Sequence, residues 1–347
     1  MTLQSSEFYL RQASVSGIGR QGLAKLGTST VAVAGAGGVG SSAAYYLAKS
    51  GLGSIRLIDQ DIIEPSNLQR IHSATKADLF HPKAEVLSRK LSGFDSSTRV
   101  EAVVDTITNR NVDRLLEGVD MVLDGLDNFR TRYVINRFAV RNKTPYLFTS
   151  AVAEQAHFAL VHPPSTPCLE CIIPHVSDRF EDSCENLGVN HTTTGLAGAI
   201  AASTAIQFLL GGRTRLTDAM LTLDMVGPEF LFSRLSRTEG CTACSSPANH
   251  DEISKSSVTL LCGEHTANIL PPRAMDLRLS RASSTIPVET ILARSDSVLV
   301  YRQGPYTISL FRNGRLLISG ISEEALASRI ANEIWGSVEE SRMVDES

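Results

Sequence analysis

The chain has 347 residues, 42% of them apolar and 20% charged, with a formal net charge of −4. That length can bury one large core and a smaller appended one. The charge excludes an extended basic face for holding nucleic acid, though it leaves room for a local basic pocket that takes nucleotide phosphates.

The N-terminal run MTLQSSEFYLRQ has no basic region followed by an apolar stretch and a small-residue cleavage site, so a cytoplasmic protein is expected. From Thr30 the pattern reads strand, glycine-rich turn, helix and strand, as TVAVAGAGGVG, SSAAYYLAKSG and SIRLIDQD. That is a βαβ unit. A second cycle follows, with a helix around Lys83 to Leu91, an apolar strand at Val100 to Val104 and a buried-type strand Met121-Val122-Leu123 entering Asp124-Gly125. Alternating strands and helices predict an α/β, Rossmann-like, mostly parallel sheet with helices on both faces.

Between Pro163 and Asn190 the sequence turns irregular and carries three cysteines, which predicts a long crossing loop. The apolar run Gly195 to Leu210 is shorter than the roughly 20 residues of a membrane span and rich in Ala and Gly. It predicts a close-packed buried helix and no membrane span. After Cys244 the polar run SSPANHDEISKSS reads as a linker, placing a boundary near residue 250, with one domain over 1–249 and a small α+β module over 250–347. In the module, Asn313-Gly314 separates two alternating runs, a hairpin signal. Ser322 is then expected to cap a helix with Leu326, Ile330 and Ile334 at intervals of four. No chemistry is assigned to this module.

The loop Gly35-Ala36-Gly37-Gly38-Val39-Gly40 follows a strand and opens a helix, so its N–H groups can approach phosphates without Cβ interference. Nineteen residues after Gly40, Asp59 ends the next strand, placed to accept hydrogen bonds from ribose hydroxyls. These features alone fit NAD and ATP equally. Further cations and a carboxylate follow in Ser66-Asn67-Leu68-Gln69-Arg70, in Lys83 after Pro82, and in Asp127-Asn128 after a buried strand. A triphosphate requires them and hydride transfer does not: basic side chains neutralise charge on transferred phosphates, and a carboxylate at a strand end holds Mg²⁺. Singly, Lys83 and Arg70 also read as surface charge, and Asp127 as a helix cap.

Taken together, these residues resemble the ThiF/MoeB/HesA family, relatives of the ubiquitin-activating E1 enzymes. The resemblance covers roughly residues 7 to 245. Its carriers are Tyr9-x-Arg11-Gln12, GAGGVG, Asp59, SNLQR, Pro82-Lys83, Asp127-Asn128, two CxxC pairs and Cys184. It implies an adenylation site in which Gly38 and its neighbours contact ATP, Asp59 holds the ribose, Asn67, Arg70 and Lys83 bind phosphates, and Asp127 carries Mg²⁺. The implied substrate is the C-terminal Gly-Gly carboxylate of a ubiquitin-like sulfur-carrier protein. Attack on the α-phosphate would give an acyl-adenylate and pyrophosphate, ahead of thiocarboxylate formation with a separate sulfur donor. The resemblance further implies that Arg11 reaches the ATP site of a second copy, in a homodimer.

Each of the pairs Cys168/Cys171 and Cys241/Cys244 places two thiolates within reach of one ion, and four thiolates make a closed tetrahedral Zn²⁺ site. Spacing alone leaves the pairing open. The resemblance implies one structural zinc that clips the crossing loop to the end of the first domain. Cys184 matches a cysteine that in relatives can bind the activated carrier covalently, but Asp182 and Glu185 beside it would raise its pKa. Cys262 is expected to be a packed strand residue. His175 and His191 flank the loop, where the reaction needs no general base because the attacking carboxylate is already ionised. Competing readings are modifier activation for protein conjugation, an NAD-dependent oxidoreductase, and a catalytically dead scaffold.

Overall fold

The computed structural model describes residues 7–94, 97–162, 164–174, 187–212, 214–245, 258–261, 265–273 and 275–343. The chain divides into two units, one comprising residues 1–78 and 83–253 and the other residues 79–82 and 254–347.

The first unit grows from the apolar run at Thr30. Strand β1 (Thr30–Ala34) is followed by helix α1 (Gly38–Ala48) and strand β2 (Ser54–Ile58). Next come α2 (Lys83–Ser92), β3 (Arg99–Val103), β4 (Met121–Asp124), α3 (Phe129–Asn142), β5 (Tyr146–Val152) and β6 (Gln155–Val161). Helix α4 (His191–Leu209) precedes the last two strands, β7 (Ala219–Asp224) and β8 (Glu229–Arg234). The sheet order is β3-β2-β1-β4-β5-β6-β7-β8. Pairings from β3 to β5 are parallel, and those from β5 to β8 are antiparallel. The mostly parallel, doubly covered sheet is thus present, with an antiparallel extension that the sequence pattern did not reveal. The order reverses between β1 and β4, which opens a crevice at the C-terminal strand ends.

Each face of the sheet carries its own core. One holds Val31, Val33, Leu57, Leu123 and Phe158, covered by α1 and α4; the other holds Ala32, Ile58, Val122, Tyr146 and Phe148, covered by α3. Helix α4 contains the apolar run and lies close against α1. A Cβ at Gly198 would come within 2.5 Å of Ser42 Cβ and 2.6 Å of the Val39 carbonyl oxygen. With Ala197, Ala201, Ala202 and Ala205 buried along the same stripe, the small residues set the approach of the two backbones. No helix among the described residues is long and apolar enough to cross a membrane.

The second unit is a six-stranded antiparallel sheet of β9 (Val258–Leu261), β10 (Thr266–Ile269), β11 (Ile291–Arg294), β12 (Val298–Gln303), β13 (Tyr306–Phe311) and β14 (Leu316–Ser319). Their order is β11-β12-β13-β14-β10-β9. Helix α5 (Glu324–Met343) packs Ala327, Ile330, Ala331, Ile334 and Trp335 against Leu299, Ile308, Leu310 and Ile318. Asn313-Gly314 turns β13 into β14, with Gly314 at φ +81° and its carbonyl accepting from the Trp335 indole N–H at 2.7 Å. Helix α5 begins two residues beyond Ser322, whose hydroxyl pairs with the His265 ring. Cys262 and most of the SSPANHDEISKSS run lie outside the described residues.

Candidate active site and metal centre

Three strand ends meet at the reversal of strand order. Gly35, at φ +91°, turns the chain out of β1 where a Cβ would lie 2.6 Å from the Gly125 carbonyl oxygen. Gly40 is forced similarly, because its Cβ would fall 1.8 Å from the Gly35 carbonyl oxygen. Gly38 packs beneath Thr194 of α4, 2.9 Å from where its Cβ would be. Gly37 differs: an added Cβ there meets no protein atom within 4 Å. The protein's own packing therefore demands Gly35, Gly38 and Gly40, while Gly37 keeps open the space in front of the α1 N-terminus, where helix N–H groups and dipole favour an anion.

Asp59 is 8% exposed at the end of β2, its Oδ2 accepting from Ala36 N at 2.6 Å and its Oδ1 from Asp61 N at 2.7 Å. Each oxygen retains a lone pair for another donor. Burial pushes the Asp59 carboxyl up to about 6, with Asp61 adding to the rise and Lys83 and the backbone donors opposing it. Lys83 opens α2, its N–H donating to the Asp61 carbonyl at 2.9 Å and its Nζ lying 3.1 Å from Asp61 Oδ2. Burial works against its charge, yet the carboxylates of Asp61, Asp59 and Asp127 outweigh burial and hold the ammonium protonated. Asp61 went unnoticed in the sequence, although its place two residues after Asp59 in the strand-end run Asp59-Gln60-Asp61 was a signal.

After β4, Asn128 caps α3, its Oδ1 accepting from Thr131 N at 3.0 Å. The capping role considered for Asp127 thus falls to Asn128, and Asp127 is exposed beside it. Beneath the turn lies a network that sequence reasoning missed. Arg132, 1% exposed, donates Nε to Asp124 Oδ2 at 3.0 Å and Nη2 to the carbonyls of Leu126 and Thr149 at 2.5 and 3.0 Å. Tyr146 donates its hydroxyl to Asp124 Oδ2 at 2.6 Å, and Leu126 N donates to Asp124 Oδ1 at 2.8 Å. The guanidinium carbon lies 5.0 and 5.1 Å from the Phe129 and Phe148 ring centroids. A buried arginine eight residues after a strand-end aspartate fixes the turn that presents Asp127.

The segment Ser66–Arg70 forms its own turn. Asn67 is buried and reciprocates with Glu64 in a capping box, while Arg70 donates to the Ser66 carbonyl at 2.9 Å. Ser66 and Gln69 are exposed and Leu68 is half-buried. His72 N donates to Ser41 Oγ at 2.8 Å, which anchors the turn over the first part of α1. Arg11 is exposed, and no hydrogen bond or ion pair joins it to the glycine loop among the described residues. His191 is the exposed first residue of α4; Cys184 and His175 lie outside the described residues.

A second constellation stands apart in sequence. Cys168, Cys171, Cys241 and Cys244 bring their sulfurs within 4.8 Å of one another, with Cys168–Cys171 at 3.8 Å, Cys168–Cys241 at 3.7 Å and Cys171–Cys244 at 3.5 Å. A tetrahedron of thiolates about 2.3 Å from a zinc ion has edges of about 3.8 Å. The cage therefore fits zinc, and its four protein ligands leave no open coordination position.

Comparison with known proteins agrees with this geometry. The sequence profile of the ThiF family matches residues 9–244. The chain is 27% identical to the sulfur carrier protein ThiS adenylyltransferase of Bacillus subtilis (strain 168) over 337 residues, covering 94% of this chain and 99% of that one. It is 30% identical to the sulfur carrier protein adenylyltransferase of Thermus thermophilus over 258 residues, covering 73% and 95%. A crystal structure of E. coli MccB with AMPCPP and MccA superposes with a TM-score of 0.57 at 25% identity, covering 64% of this chain and 68% of that one. With the profile spanning more than half of its length, the glycine loop through the second cysteine pair included, the chain belongs to the ThiF family.

Proposed function

We propose that this protein adenylates the C-terminal glycine of a ubiquitin-like sulfur-carrier protein, using MgATP. The observation that carries the reading is the meeting of an anion-binding helix N-terminus, a buried Asp59, a Lys83 kept charged by three carboxylates, and an exposed Asp127 at one switch point. The B. subtilis and T. thermophilus relatives are named for adenylylation of sulfur carriers, and likeness to the former runs into the second unit.

In this reading the backbone at Gly35, Gly37, Gly38 and Gly40 faces the phosphates, and Asp59 accepts from the ribose. Asn67, Arg70 and Lys83, with the neighbouring Ser66, Leu68, Gln69 and Asn128, enclose the nucleotide. Asp127 would hold Mg²⁺, which when bound would supply charge neutralisation on the departing pyrophosphate. A carrier carboxylate oxygen bonds to the α-phosphorus, the bond from that phosphorus to the bridging oxygen breaks, and pyrophosphate leaves with the electron pair. No proton moves, so the chain's part is positioning and electrostatic stabilisation. Lys83 reaches the phosphates by exchanging Asp61 for the polyphosphate as counter-ion.

The same reading takes Arg11 as a residue serving the site of a second copy in a homodimer. It takes Cys184 as the candidate for covalent contact with the activated carrier, a separate protein as sulfur donor, zinc as a structural clip in the four-cysteine cage, and the cytoplasm as location. The test is pyrophosphate exchange into ATP by the purified protein, with and without a carrier ending in Gly-Gly. Carrier-dependent exchange that is lost in Asp127→Ala is expected. Tight nucleotide binding without exchange for any carrier would overturn it.

A further inference from the structure

The four-cysteine cage is built on α3 as well as on its thiols. Leu169 and Glu170 are the two residues between Cys168 and Cys171, in a helix of only four residues, too short to hold its shape alone. Asn136, wholly buried on α3, takes hold of both: its Oδ1 accepts from Leu169 N at 2.8 Å, and its Nδ2 donates to Glu170 Oε1 at 3.1 Å. Arg137 closes on the same carboxylate, Nε to Oε1 at 3.0 Å and Nη2 to Oε2 at 3.2 Å, a two-pronged pair with definite geometry. Glu170 is 7% exposed, so water screens this pair little. One turn earlier, Tyr133 donates its hydroxyl to the Ile173 carbonyl at 3.0 Å. Hydrogen bonds as well as thiols join the segment of the second cysteine pair to that of the first: the Thr238 hydroxyl donates to the Cys171 carbonyl at 3.1 Å and Arg237 to the Thr166 carbonyl at 3.2 Å.

We propose that Asn136, Arg137 and Glu170 are positioning residues for the metal: they hold the Cys168–Cys171 half of the cage in ligating geometry before an ion arrives, and Cys241 and Cys244 then close it. Outer groups that orient ligands typically carry about 10–100-fold in metal affinity. A half-site that is ordered in advance spares the ion the cost of ordering it. The inference rests on reading the four cysteines as a zinc cage and is independent of the adenylation reading.

The test uses the full chain loaded with Zn²⁺, titrated at fixed pH against a chromophoric chelator. Glu170→Gln keeps the side-chain volume and removes the charge that Arg137 grips. It should lower zinc affinity by about 10–100-fold, while the Co²⁺-substituted variant keeps the absorption bands of a tetrahedral four-thiolate site, because the ligands are intact. Arg137→Lys, which keeps charge without the fork, should shift affinity in the same direction by less, and it secures the test if Glu170→Gln fails to fold. Arg141 lies on the same helix as Arg137 and pairs with the exposed Asp113; Arg141→Ala should leave zinc affinity unchanged. Zinc affinity within two-fold of the parent in Glu170→Gln, alongside a lower thermal midpoint of the metal-free protein, would overturn the proposal and leave these residues as helix packing. A parent chain that takes up no zinc would overturn the cage reading itself.

Discussion

Replacing Arg132 by Met keeps most of the side-chain length and removes the charge under the turn that carries Asp127. The perturbation strikes a pair with no solvent to absorb it, since Arg132 is 1% and Asp124 0% exposed at a separation of 3.0 Å. Removing one member of such a pair typically costs about 3–5 kcal/mol, because the remaining charge is buried without its partner. Burial already pushes the Asp124 carboxyl upward against the opposing pull of Arg132, so in the variant it should take up a proton. For a domain of this size, where about 1 kcal/mol moves the melting temperature by about 2–4 °C, the loss corresponds to about 6–20 °C. The Leu126 and Thr149 carbonyls also lose their donor, so the turn carrying Asp127 loosens, and pyrophosphate exchange should fall by more than the unfolded fraction explains. Urea denaturation of Arg132→Met, Asp124→Asn and the double variant closes a cycle. The double variant should be less destabilised than the sum of the singles, since a neutral amide in place of the Asp124 carboxylate no longer needs the guanidinium. A single-variant loss below about 1 kcal/mol, or strict additivity, would refute a buried ion pair as the support of this turn.

The raised Asp59 carboxyl makes stability pH-dependent in a stated direction. Between the ordinary carboxylate range and about 6 the folded state binds more protons than the unfolded one, so stability from this group is present at low pH and lost as pH rises through about 6. Compared with Asp59→Asn, the parent should lose about 2 kcal/mol between pH 4.5 and 7.5 in urea titrations; a flat difference would contradict the buried environment. The glycines separate packing from binding. Gly40→Ala drives a Cβ into the Gly35 carbonyl and should lower the melting temperature markedly. Gly37→Ala should leave melting unchanged and weaken nucleotide binding, read by a fluorescent ATP analogue, because the only space it fills is the open space before α1. Equal melting of the two variants would remove the basis for assigning Gly37 to the ligand.

Much of the site was legible because its signals are local. A glycine loop between an apolar strand and a helix follows from what a Cβ forbids in a tight turn, and Asp59 follows from its place at the next strand end. The paired cysteines announce thiolates by spacing. The Asn313-Gly314 hairpin and the 326/330/334 stripe were likewise written in periods of two and nearly four residues. What spacing left open was pairing at a distance. Cys168 and Cys241 are 73 residues apart, and their sulfurs meet at 3.7 Å only in the folded chain. In the sequence Asp127 also reads as the cap of α3, whereas Asn128 takes that role by accepting from Thr131 N.

The sequence by itself determined the βαβ unit, the glycine loop between its first strand and helix, and the presence of four metal-grade thiols, because each depends on backbone sterics or residue chemistry within a few positions. Only the tertiary structure decided that Asp61 holds Lys83, that Arg132 and Asp124 brace the Asp127 turn, that small residues let α4 lie against α1, and that the sheet continues in three antiparallel strands. Those facts depend on strand order and on which buried charges find one another. That choice is made by the cost of leaving a polar group unpaired in the core, and no local pattern encodes it.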